Sequence, residues 1–197
     1  MNYNVYLDEY YNKYKINFDN INEIYIEKFA SFINVINHWS QILGLVIFKC
    51  NDHIKRKNLV KNLYDENNGD LSHVETFYLF LKELGFVKNI DEIKSEPYTE
   101  LYIKNITNII INNDFDDCCQ ILGSIEYIYQ KISIDIINWF IKKFNKIPEY
   151  HFTLHETLDI EHSKELFELN NKNINNHMLT IGSSWILEII EKLILYP

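Results

Sequence analysis

Apolar side chains in this chain recur in several stretches at intervals of three and four residues, the spacing that places them on one face of an α-helix. In HVETFYLFLKELG, for example, Phe77, Phe80 and Leu84 fall on one such face. Turn-forming residues are rare, with five Gly and three Pro in 197 residues. Because a β-protein needs many tight turns, this pattern predicts an all-α protein.

Capping and turn signals divide the chain into about seven helices, which follow a tyrosine-rich opening that runs to about Tyr14. The predicted helices run, in chain order, from Ile21 to Phe48 behind a cap at Asp19 or Asn20, through NDHIKRKNLVKNLYDE to a break near Asn67, over HVETFYLFLKELG behind Ser72, from Pro97 through ITNIIINN, from Asp116 or Asp117 to about Lys146, over residues 150–170, and from about Asn175 to Leu195. The connections are short and no internal repeat is found. Residues 1–197 are therefore predicted to form a single-domain helical bundle.

The formal net charge is −9 at pH 7, and no lysine-rich run stands apart from acidic neighbours. Nucleic acid is therefore not an expected partner. The three cysteines, Cys50, Cys118 and Cys119, include no CxxC pair, which fits a reducing compartment. The chain does not open with a basic stretch before an apolar run, and no uninterrupted apolar segment reaches bilayer length. We therefore predict a cytoplasmic protein without a membrane partner.

The stretch HETLDIEH places His155, Asp159 and His162 within a narrow arc of one helix. The same arc continues to Leu166 and Leu169, so the three polar side chains are predicted to point inward. A buried carboxylate needs a positive partner because taking a bare charge out of water is costly. A bound cation would supply that charge. For this motif alone, two core histidines flanking a structural aspartate are an equally good interpretation.

Three further polar residues lie on apolar helix faces. Glu126 shares its face with Leu122 and Tyr129, whereas Glu66 closes one helix and His73 opens the next. No basic residue shares the face of Glu126. Together with HETLDIEH, the chain thus offers three carboxylates and three imidazoles on four predicted helices. That composition is typical of a dinuclear site in a helical bundle and suits iron or manganese.

Glu66 and His73 lie seven residues apart in NLYDENNGDLSHVETFYLFLKELG, and a lone Glu126 and an HxxxDxxH motif follow. This order resembles the haem-oxygenase-like diiron oxidases, which include CADD, UndA and BesC within the wider fold of TenA and PqqC. The resemblance covers roughly residues 20–170. It implies a haem-oxygenase-like bundle that holds two Fe(II) ions, with Mn possible in place of one. The implied metal ligands are Glu66, His73, Glu126, His155, Asp159 and His162.

The resemblance also implies the chemistry. A non-haem diiron oxidase of this kind uses O2 as co-substrate, draws on an external electron donor, and oxidises a small amine, amino acid or carboxylic acid by N-oxygenation or C–C cleavage. A homodimer is possible. Phe32, His38 and Tyr129 are expected to line the substrate pocket, whereas His53 and His151 fit no pattern and are assigned surface or capping roles.

Two alternatives stay open at this point. The stretch YYNKY resembles one near the start of CADD-like para-aminobenzoate synthases, which consume a tyrosine of their own chain, and Tyr11 would be the matching catalytic residue. Ile136 stands where that branch has a basic residue. The second alternative is a metal-free TenA- or PqqC-like enzyme, with a nucleophilic thiol at Cys118 or Cys119, or a non-catalytic interaction protein of the same fold.

Overall fold

The computed structural model describes residues 2–18, 21, 24–67 and 71–195. Every regular element in this part of the chain is helical, which confirms the all-α prediction. The α-helices are α1 Tyr3–Tyr14, α2 Ile26–Phe29, α3 Ile33–Lys49, α4 His53–Asn67, α5 His73–Glu83, α6 Pro97–Asn112, α7 Phe115–Phe144, α8 Phe152–Leu169 and α9 Asn176–Leu195. Short 3-10 turns lie at Ala30–Phe32, between α2 and α3, and at Ile90–Glu92, before α6.

The helix predicted from Ile21 to Phe48 is a composite. It begins at Ile26 and passes through the 3-10 turn at Ala30–Phe32 before α3 continues to Lys49. Two short elements, α2 and the 3-10 turn, therefore replace the first turns of the predicted helix. The prediction missed them because the spacing of apolar residues does not distinguish a 3-10 turn from an α-helical one. The proposed caps, Asp19 and Asn20, lie outside the described residues.

Helix α7 starts two or three residues earlier than predicted. Its cap is Asp114, whose side chain accepts a hydrogen bond from the backbone N–H of Asp117. Asp116 and Asp117 belong to the first turn, where their negative charges complement the helix dipole. Helix α7 ends at Phe144 because Asn145 adopts the left-handed conformation, with φ of 54°.

Helix α7 is the central element of the bundle. It packs against α8 on one side and α9 on the other, and its buried residues extend around most of its circumference, including Ile121, Ile128 and Ile136. A helix buried on several faces carries few polar side chains, and each of those it does carry is enclosed by the protein. The position of Glu126 near the middle of α7 thus places a carboxylate at the centre of the bundle.

The start of α5 is fixed by a capping box. The Ser72 side chain accepts a hydrogen bond from the backbone N–H of Glu75, and the Glu75 carboxylate accepts one from the Ser72 backbone N–H at 2.8 Å. The predicted cap at Ser72 is confirmed. Because the capping box sets the first turn of α5, it also fixes the direction in which the His73 side chain points.

The segment Ile26–Lys49 is the most apolar long helical stretch that bears on the expectation of no membrane span. By length and composition alone this segment of 24 residues could cross a membrane. Polar residues interrupt the run, so the sequence shows no continuous apolar stretch. In the structure α3 packs against α4, α5, α6 and α7, and it contributes Ile42 and Leu43 to the core. Core helices of soluble proteins pass the same test, so this property is weak evidence for a membrane span.

Close packing between α7 and α9 gives a prediction. A Cβ atom added at Gly182 would lie 2.1 Å from Ser124 Oγ and 2.3 Å from the backbone oxygen of Ile121. We expect Gly182→Ala to lower the free energy of unfolding by about 1–3 kcal/mol or more, because the backbone of α7 cannot move aside cheaply. Thermal unfolding of the metal-free protein would measure the loss.

Gly44→Ala in α3 is the matched control. An added Cβ at Gly44 has no neighbour within 4 Å, so the same substitution there should stabilise the helix by about 0.5–1 kcal/mol. Equal effects of the two substitutions would contradict the packing that we describe.

Candidate metal centre

The six predicted metal ligands come from four helices and meet inside the bundle. Glu66 lies at the end of α4, His73 at the start of α5, Glu126 in the middle of α7, and the other three on α8. None of the six is more than 6% exposed. The inward orientation that helical spacing predicts is therefore present for all of them. The structure also brings the Glu66–His73 pair, the α7 carboxylate and the α8 motif to one place.

Each of the three histidines presents the same ring atom to a carboxylate. Nδ1 of His73 lies 2.7 Å from Glu66 Oε2, and Nδ1 of His155 lies 2.7 Å from Asp159 Oδ1. Nδ1 of His162 lies 3.6 Å from the other Glu66 oxygen, Oε1. The two oxygens of Glu66 thus face two different histidines. A carboxylate in that position can serve two cations at once.

A second group of donor atoms surrounds Glu126. Glu66, Glu126 and His162 each offer one atom, and these atoms all lie within 4.8 Å of one another, close enough for a single ion to be held between them. The indole N–H of Trp39 donates a hydrogen bond to Glu126 Oε1 at 3.1 Å. Trp39 therefore fixes the orientation of this carboxylate, as a residue outside the ligand set often does at a metal site.

Several of the converging atoms are buried without a hydrogen-bond partner among the described residues. They are His73 Nδ1, His155 Nε2, Asp159 Oδ2 and both ring nitrogens of His162. The contact of His73 Nδ1 with Glu66 is short, but it is not aligned as an N–H donor would be. Leaving such atoms unpaired costs about 1–3 kcal/mol each. A divalent cation would accept their lone pairs, and a set of carboxylates and imidazoles without thiolate suits iron or manganese. The residues present therefore fit a metal centre.

Burial and mutual repulsion set the protonation of the carboxylates. Burial, and then the neighbouring carboxylates Asp159 and Glu66, raise the pKa of Glu126 well above its usual value. Burial together with Glu66 does the same to the pKa of Asp159. Burial also acts to raise the pKa of Glu66, but the close His73 ring, and then the charges of His155 and His162, outweigh it and hold that pKa below the usual value. The metal-free centre thus retains protons that a bound cation would displace, so metal affinity should rise with pH.

A cavity of about 50 Å³ adjoins the six residues. Glu66, His73, Glu126 and His155 form one part of its wall. The rest is mostly apolar or aromatic and consists of Phe32, Val35, Ile36, Trp39, Ile125, Tyr129, His151, Trp185 and Ile186. No lysine or arginine belongs to this lining among the described residues. A small molecule bound here would contact aromatic and aliphatic side chains next to the candidate metal ligands.

Two of the three residues assigned to the substrate pocket from the sequence, Phe32 and Tyr129, line this cavity. The third, His38, does not, and its Nε2 lies 2.9 Å from Thr107 Oγ1 instead. Tyr11 is also absent from the lining, and its hydroxyl group donates a hydrogen bond to Asp135 at 2.6 Å. Helical spacing indicates which face of a helix is buried, but it does not indicate which buried residues border a cavity.

The two cysteines of α7 lie away from the cavity. Cys118 donates a hydrogen bond through its thiol to the backbone oxygen of Ile110, and burial raises its pKa to about 12. Burial also raises the pKa of the Cys119 thiol. A thiol that is protonated at neutral pH and is not part of the pocket wall is a poor nucleophile.

His151 is a site residue that sequence reasoning missed. It is 1% exposed, it lines the cavity, and its backbone is strained, with φ of 54° and ψ of −78°. Its Nε2 lies 2.8 Å from the Tyr129 hydroxyl, and its Nδ1 lies 3.2 Å from Thr76 Oγ1. Because both nitrogens have partners, His151 differs from the three candidate ligands. The sequence does hold a signal, since His151 lies one turn before His155 and extends the periodicity of HxxxDxxH.

Tyr129, His151 and Thr76 form a chain of hydrogen bonds. The last member, Thr76, fixes the proton positions. The Thr76 hydroxyl donates to the backbone oxygen of His73, so Thr76 Oγ1 must accept from His151 Nδ1–H. Burial, and then the neighbouring imidazoles, lower the pKa of His151 well below its usual value, so the ring is neutral and Nε2 is an acceptor. The Tyr129 hydroxyl therefore donates to it. The chain connects α5, α7 and the residue before α8.

The lowered pKa of His151 gives a prediction for the metal-free protein. Below about pH 6.5 the unfolded chain binds a proton at this residue and the folded chain does not, so the stability that His151 contributes falls as the pH falls. We expect His151→Gln to be less stable than the wild type at pH 7.5. The difference should shrink towards pH 5.5, by about 1.4 kcal/mol per pH unit below 6.5. Urea unfolding at several pH values would measure it, and a difference that is constant with pH would contradict a neutral buried imidazole.

Comparison with solved structures identifies the fold. A CADD-like protein of unknown function from Nostoc punctiforme superposes with a TM-score of 0.61 over 85% of this chain and 80% of its own, at 16% sequence identity. No protein-family model matches this sequence, and no curated protein matches it. At this level of identity the similarity concerns the fold alone. The chain thus adopts an all-α, haem-oxygenase-like bundle, the fold that it shares with this CADD-like protein.

Proposed function

We propose that the protein is a non-haem diiron oxidase that uses O2 to oxidise a small molecule in the cavity beside Glu126. The convergence of six buried carboxylate and imidazole groups, several with unpartnered donor atoms, carries the proposal. Such a set is tolerated in an apolar interior when cations neutralise it. The CADD-like fold is compatible with this function and does not by itself establish it.

The ligand set fits two ions better than one. Glu66 offers one oxygen towards His73 and the other towards His162, while Glu126 and Asp159 add two more carboxylates. Two divalent ions would offset three carboxylate charges that burial otherwise leaves uncompensated. We propose two iron ions, with manganese possible in place of one. When bound and reduced, such a pair supplies electrons to activate O2, and an external electron donor would restore its reduced state.

The chain's own residues would hold and enclose the reactants. Trp39 orients Glu126, and the Thr76–His151–Tyr129 chain fixes the Tyr129 hydroxyl at the cavity wall. The apolar lining would exclude water from a substrate placed next to the ligands. A cavity of about 50 Å³ limits that substrate to a small molecule, and we propose a small amine, amino acid or carboxylic acid.

The positions of the other candidate residues do not favour the alternatives. A self-consuming tyrosine at position 11 would have to reach the ligands, whereas the Tyr11 hydroxyl is engaged by Asp135 and lies outside the cavity wall. A thiol-dependent reaction would need Cys118 or Cys119 in that wall, and neither is there. The diiron oxidase is therefore the function that the geometry supports best.

Metal uptake is the first test. We expect the wild-type protein, loaded with Fe(II) without oxygen, to bind about two ions per chain and to unfold at a higher temperature, because a ligand of the folded state stabilises it. Glu126→Ala should lose one or both ions. Glu156→Ala, which removes an exposed carboxylate from α8, should retain both. Metal analysis after desalting and thermal unfolding would report the result. A wild-type protein that takes up no iron would contradict the metal centre.

Reaction with oxygen is the second test. Iron-loaded wild-type protein should consume O2 and show an oxygen-dependent change in its visible absorbance, and Glu126→Ala should show neither. An oxygen electrode and stopped-flow absorbance would measure these changes. A protein that binds two irons and does not react with oxygen would keep the metal centre and exclude the oxidase.

A further inference from the structure

His162 is the candidate ligand whose surroundings are least complete. It is 1% exposed, and neither ring nitrogen has a hydrogen-bond partner among the described residues. Its Nδ1 faces Glu66 Oε1 at 3.6 Å, on the side where the other ligands converge. Its Nε2 lies 3.7 Å from Oδ2 of Asp65, which is not one of the six candidate ligands. One nitrogen is therefore directed to the centre and the other to a carboxylate outside the ligand set.

Asp65 reaches this position because it precedes Glu66 on α4. Successive residues of an α-helix are separated by about 100°, so Glu66 can point into the bundle while Asp65 points towards α8, which packs against α4. The Asp65 side chain is 30% exposed, compared with 5% for Glu66. The two neighbouring carboxylates are thus differently placed, one inside the cluster and one at its edge.

A histidine that binds a metal through one nitrogen carries a proton on the other. That N–H is usually donated to a carboxylate, which fixes the tautomer and the ring orientation and makes the ligating nitrogen more basic. In the structure the distance from His162 Nε2 to Asp65 is longer than a hydrogen bond by less than 1 Å. A small movement of the partly exposed Asp65 side chain would close it.

We infer that Asp65 is a positioning residue that accepts a hydrogen bond from His162 Nε2–H and directs Nδ1 to one of the two metal ions. The inference rests on the proposed metal centre and extends it beyond the six ligands. It also completes the charge balance. With Asp65 at the edge of the ligand set, four carboxylates are present to offset the four positive charges of two divalent ions.

Glu165 provides a matched control. Both Asp65 and Glu165 act electrostatically on His162, so the removal of either charge changes the local field. Glu165, however, lies on α8 and pairs with Lys61 at 3.3 Å rather than with a ring nitrogen of His162. A purely electrostatic role would make the two residues equivalent, whereas a positioning role would separate them.

The experiment compares Asp65→Ala, Asp65→Asn and Glu165→Gln with the wild type by anaerobic titration with Fe(II), and with Co(II) as a spectroscopic probe. Asp65→Ala should weaken the binding of one ion by about 10- to 100-fold and alter the Co(II) absorption bands, because the His162 ring loses its orientation. Asp65→Asn should be affected less, since the amide oxygen still accepts a hydrogen bond. Glu165→Gln should stay within about threefold of the wild type, because it leaves the ring's hydrogen bond intact.

The metal-free proteins serve as the test of a structural role. Their thermal unfolding midpoints should differ little, since Asp65 is partly exposed and makes its contact only when the ion is bound. Loss of metal-free stability in Asp65→Ala that accounts for its weaker binding would overturn the inference. So would equal effects of Asp65→Ala and Glu165→Gln, or unchanged binding in Asp65→Ala. A wild type that binds no metal would overturn the centre and the inference together, whereas two bound ions without oxygen chemistry would leave this inference in place.

Discussion

The burial of three carboxylates and three imidazoles at one point is the constraint on which the rest of this structure depends. Burial disfavours every charged form, and the carboxylates also repel one another, which is why the pKa values of Glu126 and Asp159 are raised. The cavity wall beside them offers no lysine or arginine among the described residues. The cluster must therefore be neutralised by retained protons or by cations. Because cations replace protons when they bind to this cluster, metal binding depends on pH.

The bundle supports this cluster with rigid elements. Helix α7 is enclosed by α8 and α9 and carries Glu126 where the backbone has little freedom to move. Trp39 and His151 add hydrogen bonds around the cluster, and the strained backbone of His151 is held by two of them. Backbone strain at a buried residue beside a cavity is typical of functional sites, where the strain lowers stability but holds a side chain in one orientation. The cavity therefore has one rigid wall formed by candidate ligands and one apolar wall, against which a substrate would bind.

The sequence predicted the helices well where a local signal defined them. The capping box at Ser72 and the proline at the start of α6 act within a few residues, so both boundaries could be read from the sequence. The start of the first predicted helix, at Ile21, was wrong, because a 3-10 turn at Ala30–Phe32 preserves the apolar spacing of an α-helix. The predicted cap of α7 was wrong because three of the residues 114–117 are aspartates, and each of them suits a helix start. Only the backbone conformation shows that Asp114 is the cap.

The sequence by itself determined the helical class of the protein and the inward direction of the six polar residues, because both follow from the spacing of side chains along a single helix. Only the tertiary structure decided which of these residues meet. It brought Glu66 between His73 and His162, paired the Tyr11 hydroxyl with Asp135 through a hydrogen bond, and placed His151 in the cavity wall. Periodicity fixes the face on which a residue lies, but the partner of that face depends on how the helices pack, and packing is set by contacts between residues that are far apart in the chain.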